Sequence, residues 1–174
     1  MHPIEQDIRN WSHNFLEIPN VKLNGLPPCP YAAKAWADNQ VIFSVNTGLE
    51  GLRAEIQIFD SHDYDIVVWA DEDMPSMEYL DGFCDGMNEA LSLAGIDLHL
   101  MVFHPEFDAS DAGLDFLEED GITSSDLEYC MVFVQRLSVL DDAALSLEKS
   151  GYYKYFPDET YEALVLDRRR LRNG

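Results

Sequence analysis

The sequence predicts an α+β protein: a mixed sheet of about four strands packed against helices as a single-domain sandwich. Three observations predict it. Short apolar runs of strand length alternate with segments of helical periodicity through the first two thirds of the chain. One run, Ile66-Val67-Val68-Trp69-Ala70, has no polar alternation and so needs cover on both faces. The last two apolar runs are separated by an acidic, turn-rich stretch rather than by a helix, which breaks a pure β–α–β alternation. The size agrees: 174 residues, 47% hydrophobic and 25% charged, suit one domain with one sizeable core. Residues 1–174 are therefore read as a single domain, with 1–156 as its core and 157–174 as a C-terminal helical or extended tail.

Helix one is predicted from Pro3 to Ile18, because Ile4, Ile8, Trp11, Phe15 and Ile18 recur at the spacing of one buried face and Pro19-Asn20 stops them. The breaker-rich stretch Asn24 to Pro30 follows, and a short helix is expected to open at Cys29-Pro30. Val41 to Val45 reads as a strand. Thr47-Gly48-Leu49-Glu50 has the form of a capping box, with Leu49, Leu52, Ile56 and Phe59 as the apolar face of the helix it starts. After the Ile66 strand, Pro75 to Ala94 is a helix with Met77, Leu80, Cys84, Met87 and Leu91 inward and Gly95 as its stop. Leu98 to Phe103 is the third strand. Asp108 to Asp126 is the long loop, Tyr129 to Val134 the fourth strand, and Val139 to Ser150 a helix ended by Gly151. Beyond Pro157 acids lead and arginines end, the order a helix dipole favours.

Charge narrows the function. The formal net charge is -22, and four of the 11 basic residues (Arg168, Arg169, Arg170, Arg172) fall in the last seven positions. Those arginines are expected to fold back on acidic surface through weak, salt-sensitive contacts. A body this acidic repels phosphate backbones, so the expected partners are a small-molecule substrate or a protein, with no nucleic acid. The acidity reads either as a solvating surface or as a binding face for a basic partner, mimicry of DNA included. No apolar run is long enough for a membrane span, and three cysteines without a Cys-x-x-Cys pair point to a reducing, cytoplasmic setting. No phosphate-binding Gly-x-x-x-x-Gly-Lys loop, Gly-x-Gly-x-x-Gly turn, Gly-x-Ser-x-Gly elbow or His-Glu-x-x-His helix is present.

Two places carry candidate chemistry. Cys29 lies between prolines just before an expected helix start, where unpaired backbone N–H groups lower a thiol pKa; a small residue wedged among prolines is the plainer reading. His104 leaves the end of an apolar strand with Glu106 and Asp108 at alternate positions. If that segment stays extended, the three side chains turn to one side and suit a divalent metal ion; the plainer reading is a His that caps the strand end. Arg136, one of few basic groups before the tail, and Tyr31, beside Cys29, are the candidate substrate contacts. Asp60 to Asp65 is read as turn chemistry.

Several segments resemble, in order, a small bacterial family known as domain of unknown function 1415. Leu23-Asn24-Gly25-Leu26-Pro27-Pro28-Cys29-Pro30-Tyr31-Ala32 resembles its Gly-Leu-Asn-Leu-Cys-Pro-Phe-Ala segment. Val102-Phe103-His104-Pro105-Glu106-Phe107 is similar to its Ser-Phe-His-Pro-x-Tyr. Ile66 to Trp69, Tyr79-Leu80-Asp81 and Val132 to Val139 resemble its central strand, a helix start and its closing strand. Ser124 to Tyr129 departs from the family's Asn-Arg-Ser-Pro-Tyr-Pro, losing an arginine and both prolines. The resemblance runs from about Asp7 to Glu148 and implies a fold and a site, but no reaction. Two readings follow. One is a small enzyme with a thiol- or metal-dependent site built from Cys29 and His104; the other is a non-catalytic acidic accessory or interaction protein that binds a basic partner.

Overall fold

Helix α1 (Pro3–Trp11) begins with Pro3 in its first turn and His2 as its cap, the His2 Nδ1 accepting the Ile4 N–H at 3.3 Å. The chain is described here from a computed structural model, which covers residues 2–117 and 128–174. Beyond Trp11 the helix widens into a π-type turn, Ser12–Leu16, and stops. The expected extension to Ile18 does not form: the Ser12 hydroxyl donates to the Glu17 carboxylate at 3.0 Å, closing the end, and Ile18 is left exposed.

The sheet has the order β1-β2-β4-β3. Strands β1 (Val41–Val45) and β2 (Ile66–Asp71) run parallel through the crossover helix α3 (Gly48–Ile58). Strand β4 (Cys130–Gln135) lies between β2 and β3 (His99–Phe103), antiparallel to both. The predicted α+β sandwich with a four-stranded mixed sheet is what the chain forms.

Alternation along the strands explains the unbroken apolar run of β2. Val67 and Trp69 face one layer, where Leu52 and Ile56 of α3 meet Leu80, Cys84 and Leu91 of α4 (Met77–Leu93). Val68 and Ala70 face the other, against Ile4, Ile8 and Trp11 of α1 and Ala32 of α2 (Ala32–Ala37). Both faces of β2 are therefore dry, as its sequence requires. Helix α5 (Leu137–Ser150) ends at Gly151, whose φ of 76° is the left-handed conformation that glycine adopts without strain.

The stretch after Pro157 is helical: α6 (Asp158–Tyr161), a π-type turn, and α7 (Asp167–Asn173). It is not a loose tail. Val165 and Leu171 are buried, and the Ser92 hydroxyl of α4 donates to the Leu171 carbonyl at 2.6 Å. Among the described residues no helix is long and apolar enough to cross a membrane. The second half of the predicted long loop, residues 118–126, lies outside the described residues.

Candidate functional site

Cys29 sits in a bend rather than at a helix start. Its N–H donates to the Leu16 carbonyl at 2.9 Å and its own carbonyl accepts from Ala32 at 3.2 Å, and α2 opens at Ala32 with Tyr31 as its N-cap. The helix-opening expectation is thus displaced by three residues. Burial pushes the Cys29 thiol pKa up, and this outweighs the amides of Tyr31 and Ala32, which face the sulfur and favour the thiolate. Burial likewise raises Cys84 to about 12 and Cys130 to about 11. Burial thus opposes thiolate formation at all three. Tyr31, the neighbour expected to touch substrate, is exposed.

His104 is a strand-end pin. Its Nδ1 accepts the Glu106 N–H at 3.1 Å, which puts the ring proton on Nε2, 2.9 Å from the Pro75 carbonyl it bonds. Both ring nitrogens are used and the side chain is 3% exposed. The segment does not stay extended: Phe107 N–H donates to the His104 carbonyl at 3.0 Å, a tight turn. Glu106 remains near, its Oε2 3.8 Å from His104 Nδ1, but Asp108 turns away to the Ser110 hydroxyl and N–H, which hold its carboxyl below the ordinary range. The three expected metal ligands therefore do not converge. Among the described residues no group of three His, Cys, Asp or Glu side chains forms a ligand set.

Strand direction separates the remaining candidates. Gln135, next to Arg136, pairs with His99 at the start of β3, whereas His104 follows the end of β3. Five residues of strand span roughly 17 Å, so Arg136 and His104 lie at opposite ends of the sheet. The Arg136 guanidinium pairs with Asp60 at 2.6 Å and lies over the Phe59 ring. Cys29 packs with the α1–α2 layer, His104 is tied to the loop entering α4 of the other layer, and no hydrogen bond joins them. Arg136 is thus set apart from His104 by the length of the sheet, and no hydrogen bond links Cys29 to His104.

The structure offers a different one. A cleft of about 950 Å³ opens at the carboxyl ends of β1 and β2, lined by Asn46, Gly48, Trp69, Asp71, Glu72 and Asp73 among others. Asp71 is 4% exposed and anchors its floor: Oδ2 accepts the Gly48 N–H at 2.8 Å and Oδ1 the Asp73 N–H at 2.9 Å. This is the true cap of α3. Thr47, read as a capping residue, instead pairs its hydroxyl with Ser44 at 3.0 Å. Asn46 and Glu72 clasp each other, the Asn46 amide donating to Glu72 Oε2 at 2.6 Å and the Glu72 N–H to Asn46 Oδ1 at 3.0 Å. The Trp69 indole N–H donates to the Gly48 carbonyl at 3.0 Å. Among the described residues no Lys or Arg pairs with Asp71, Glu72 or Asp73. Pro75, the carbonyl that His104 holds, also lines the cleft, so His104 supports its wall at one remove.

Neither protein-family models, nor curated proteins, nor solved structures give a match to this chain.

Proposed function

We propose that this protein is a non-catalytic acidic interaction protein whose partner is a basic protein, engaged at the cleft where β1 and β2 end. The observation that supports the reading is the carboxylate set at the cleft, Asp71 fixed by backbone amides and Glu72 by Asn46, with Asp73 beside them, left without a cation among the described residues. Elsewhere the basic side chains are largely consumed locally, as Arg136 is by Asp60 and Arg169 by Asp141. A preorganised, uncompensated carboxylate set attracts cationic side chains and loses little order on binding them. His104 and Cys29 then serve the architecture, one holding the Pro75 wall and the other filling the α1 layer.

Titration with a lysine-rich peptide tests this, provided diffuse attraction is controlled. Glu72→Gln with Asp73→Asn removes as much charge as Glu159→Gln with Glu162→Gln on the α6 side, where both residues are exposed. The cleft variant is expected to weaken binding about tenfold and the α6 variant less than about twofold. Equal losses would reduce the effect to net charge and end the proposal.

A further inference from the structure

The two edges of the sheet are treated differently. On β3 the Asn88 side chain of α4, itself buried, accepts the Leu100 N–H at 2.8 Å and donates to the Leu100 carbonyl at 3.0 Å, so that edge is plugged. Among the described residues β1 carries no such plug. The Asn46 N–H reaches the Ala70 carbonyl, and the Gln40 carbonyl accepts from Asp65 and Ile66. Even-numbered residues therefore turn their backbone groups toward β2, and alternation turns those of Val41, Phe43 and Val45 outward. Among the described residues no hydrogen bond reaches these outward groups. The strand, Val-Ile-Phe-Ser-Val, contains no proline and no charge, and only its side chains are half-covered. An open edge of this kind is a template for another strand, and proteins that do not use one blunt it.

Charge decides what the strand would be. Asp63 and Asp65 lie where the chain enters β2 beside Gln40, with Lys34, paired to Asp38, within charge reach of Asp65. Glu72 and Asp73 lie at the other end, where Asn46 holds Glu72 and no cation pairs among the described residues. Antiparallel pairing of β1 with a second copy would oppose these two acidic ends in chains that each carry -22. A segment with cationic residues flanking an apolar centre meets no such repulsion. We propose that the outer edge of β1 accepts an extended, basic segment of the partner protein as a fifth strand of the sheet. Backbone hydrogen bonds to Val41, Phe43 and Val45 would supply register and the flanking carboxylates would supply selectivity. This inference rests on the reading that the partner is basic, and adds how it is held.

The test uses the full chain and the probe Lys-Lys-Val-Thr-Val-Thr-Val-Lys-Lys. Saturating probe is expected to slow amide exchange of Val41, Phe43 and Val45 by at least about tenfold. Two N-methylated versions, each blocking alternate amides along one edge of the probe, separate backbone pairing from charge. One is expected to lose binding at least about tenfold while the other retains it. If both bind like the parent, the lysines alone act: the edge proposal fails and the basic-partner reading stands. If the parent fails while the lysine-rich peptide still binds at the cleft, the edge proposal fails alone. If neither peptide binds, both readings fail.

Discussion

Two histidines of this chain are buried, and their surroundings treat them differently. His104 has a partner on each ring nitrogen. His99, at the start of β3, has a buried Nδ1 with none, and the half-buried Arg168 guanidinium lies near enough to oppose a second positive charge. Burial first, and Arg168 second, push the His99 pKa down to about 3. Above the ordinary value of about 6.5 the ring is neutral folded or unfolded, and it adds no pH dependence. Below that value the unfolded chain takes a proton that the folded chain refuses, so stability falls with falling pH until the folded pKa is reached. Between pH 7 and pH 5 the natural protein should lose about 2 kcal/mol more than a His99→Leu variant, read from urea midpoints at both pH values. Parallel losses would show that the ring titrates freely and is not sealed under β3. Asp71, also buried, has both carboxylate oxygens met by backbone amides.

At the scale of elements, α7 departs most from what charge alone predicts. Its arginines do meet acids, Arg169 and Arg172 on Asp141 and Arg170 on Glu89. Yet Leu171 is buried, its carbonyl is held by Ser92, and Arg168 lies against Met101 rather than in water. Removing residues 168–174 should therefore cost about 3 kcal/mol, a loss that persists in molar salt because it is mostly apolar packing. Denaturant unfolding of the truncated chain at low and high salt measures it; a loss that disappears in salt would return the helix to a surface ion-pair role. The reason this was hidden in the sequence is plain. Four arginines in seven positions dominate composition, while one Val and one Leu six residues apart, off the usual helical spacing, carry the packing. The cap of α3 was hidden for a related reason. Thr47-x-x-Glu50 satisfies the local pattern, but the carboxylate that does the capping comes from Asp71, which becomes a neighbour only once β1 and β2 pair. Strands β1 to β4 were legible because their apolar runs are short, dense and bounded by turns. Asn88 was not, since a polar residue on an inward helix face has meaning only beside the strand edge it plugs.

At the scale of the molecule, the proposed site is the cleft at the ends of β1 and β2, and His104, a residue expected from the sequence, borders it through Pro75. Cys29 and His104 drew attention because thiols and imidazoles carry chemistry; Cys29 lies in a bend tied to Leu16 and His104 at a strand end tied to Glu106. The cleft residues Asn46, Glu72 and Asp73 are ordinary turn types, and only the parallel pairing of β1 with β2 gathers them. The acid run directly after an unbroken apolar strand was the one signal that pointed there. The proposed binding surface runs along one side of the sheet, from the β1 edge to the Asp71–Asp73 turn. Amide chemical-shift mapping of the full chain during titration with the lysine-flanked probe tests that placement most directly. The largest shifts are expected at Val41 to Gly48 and Asp71 to Asp73, with Asp141, Asp142 and Glu159 unmoved. Shifts centred on Cys29 and His104, or spread evenly over every acidic surface, would contradict it.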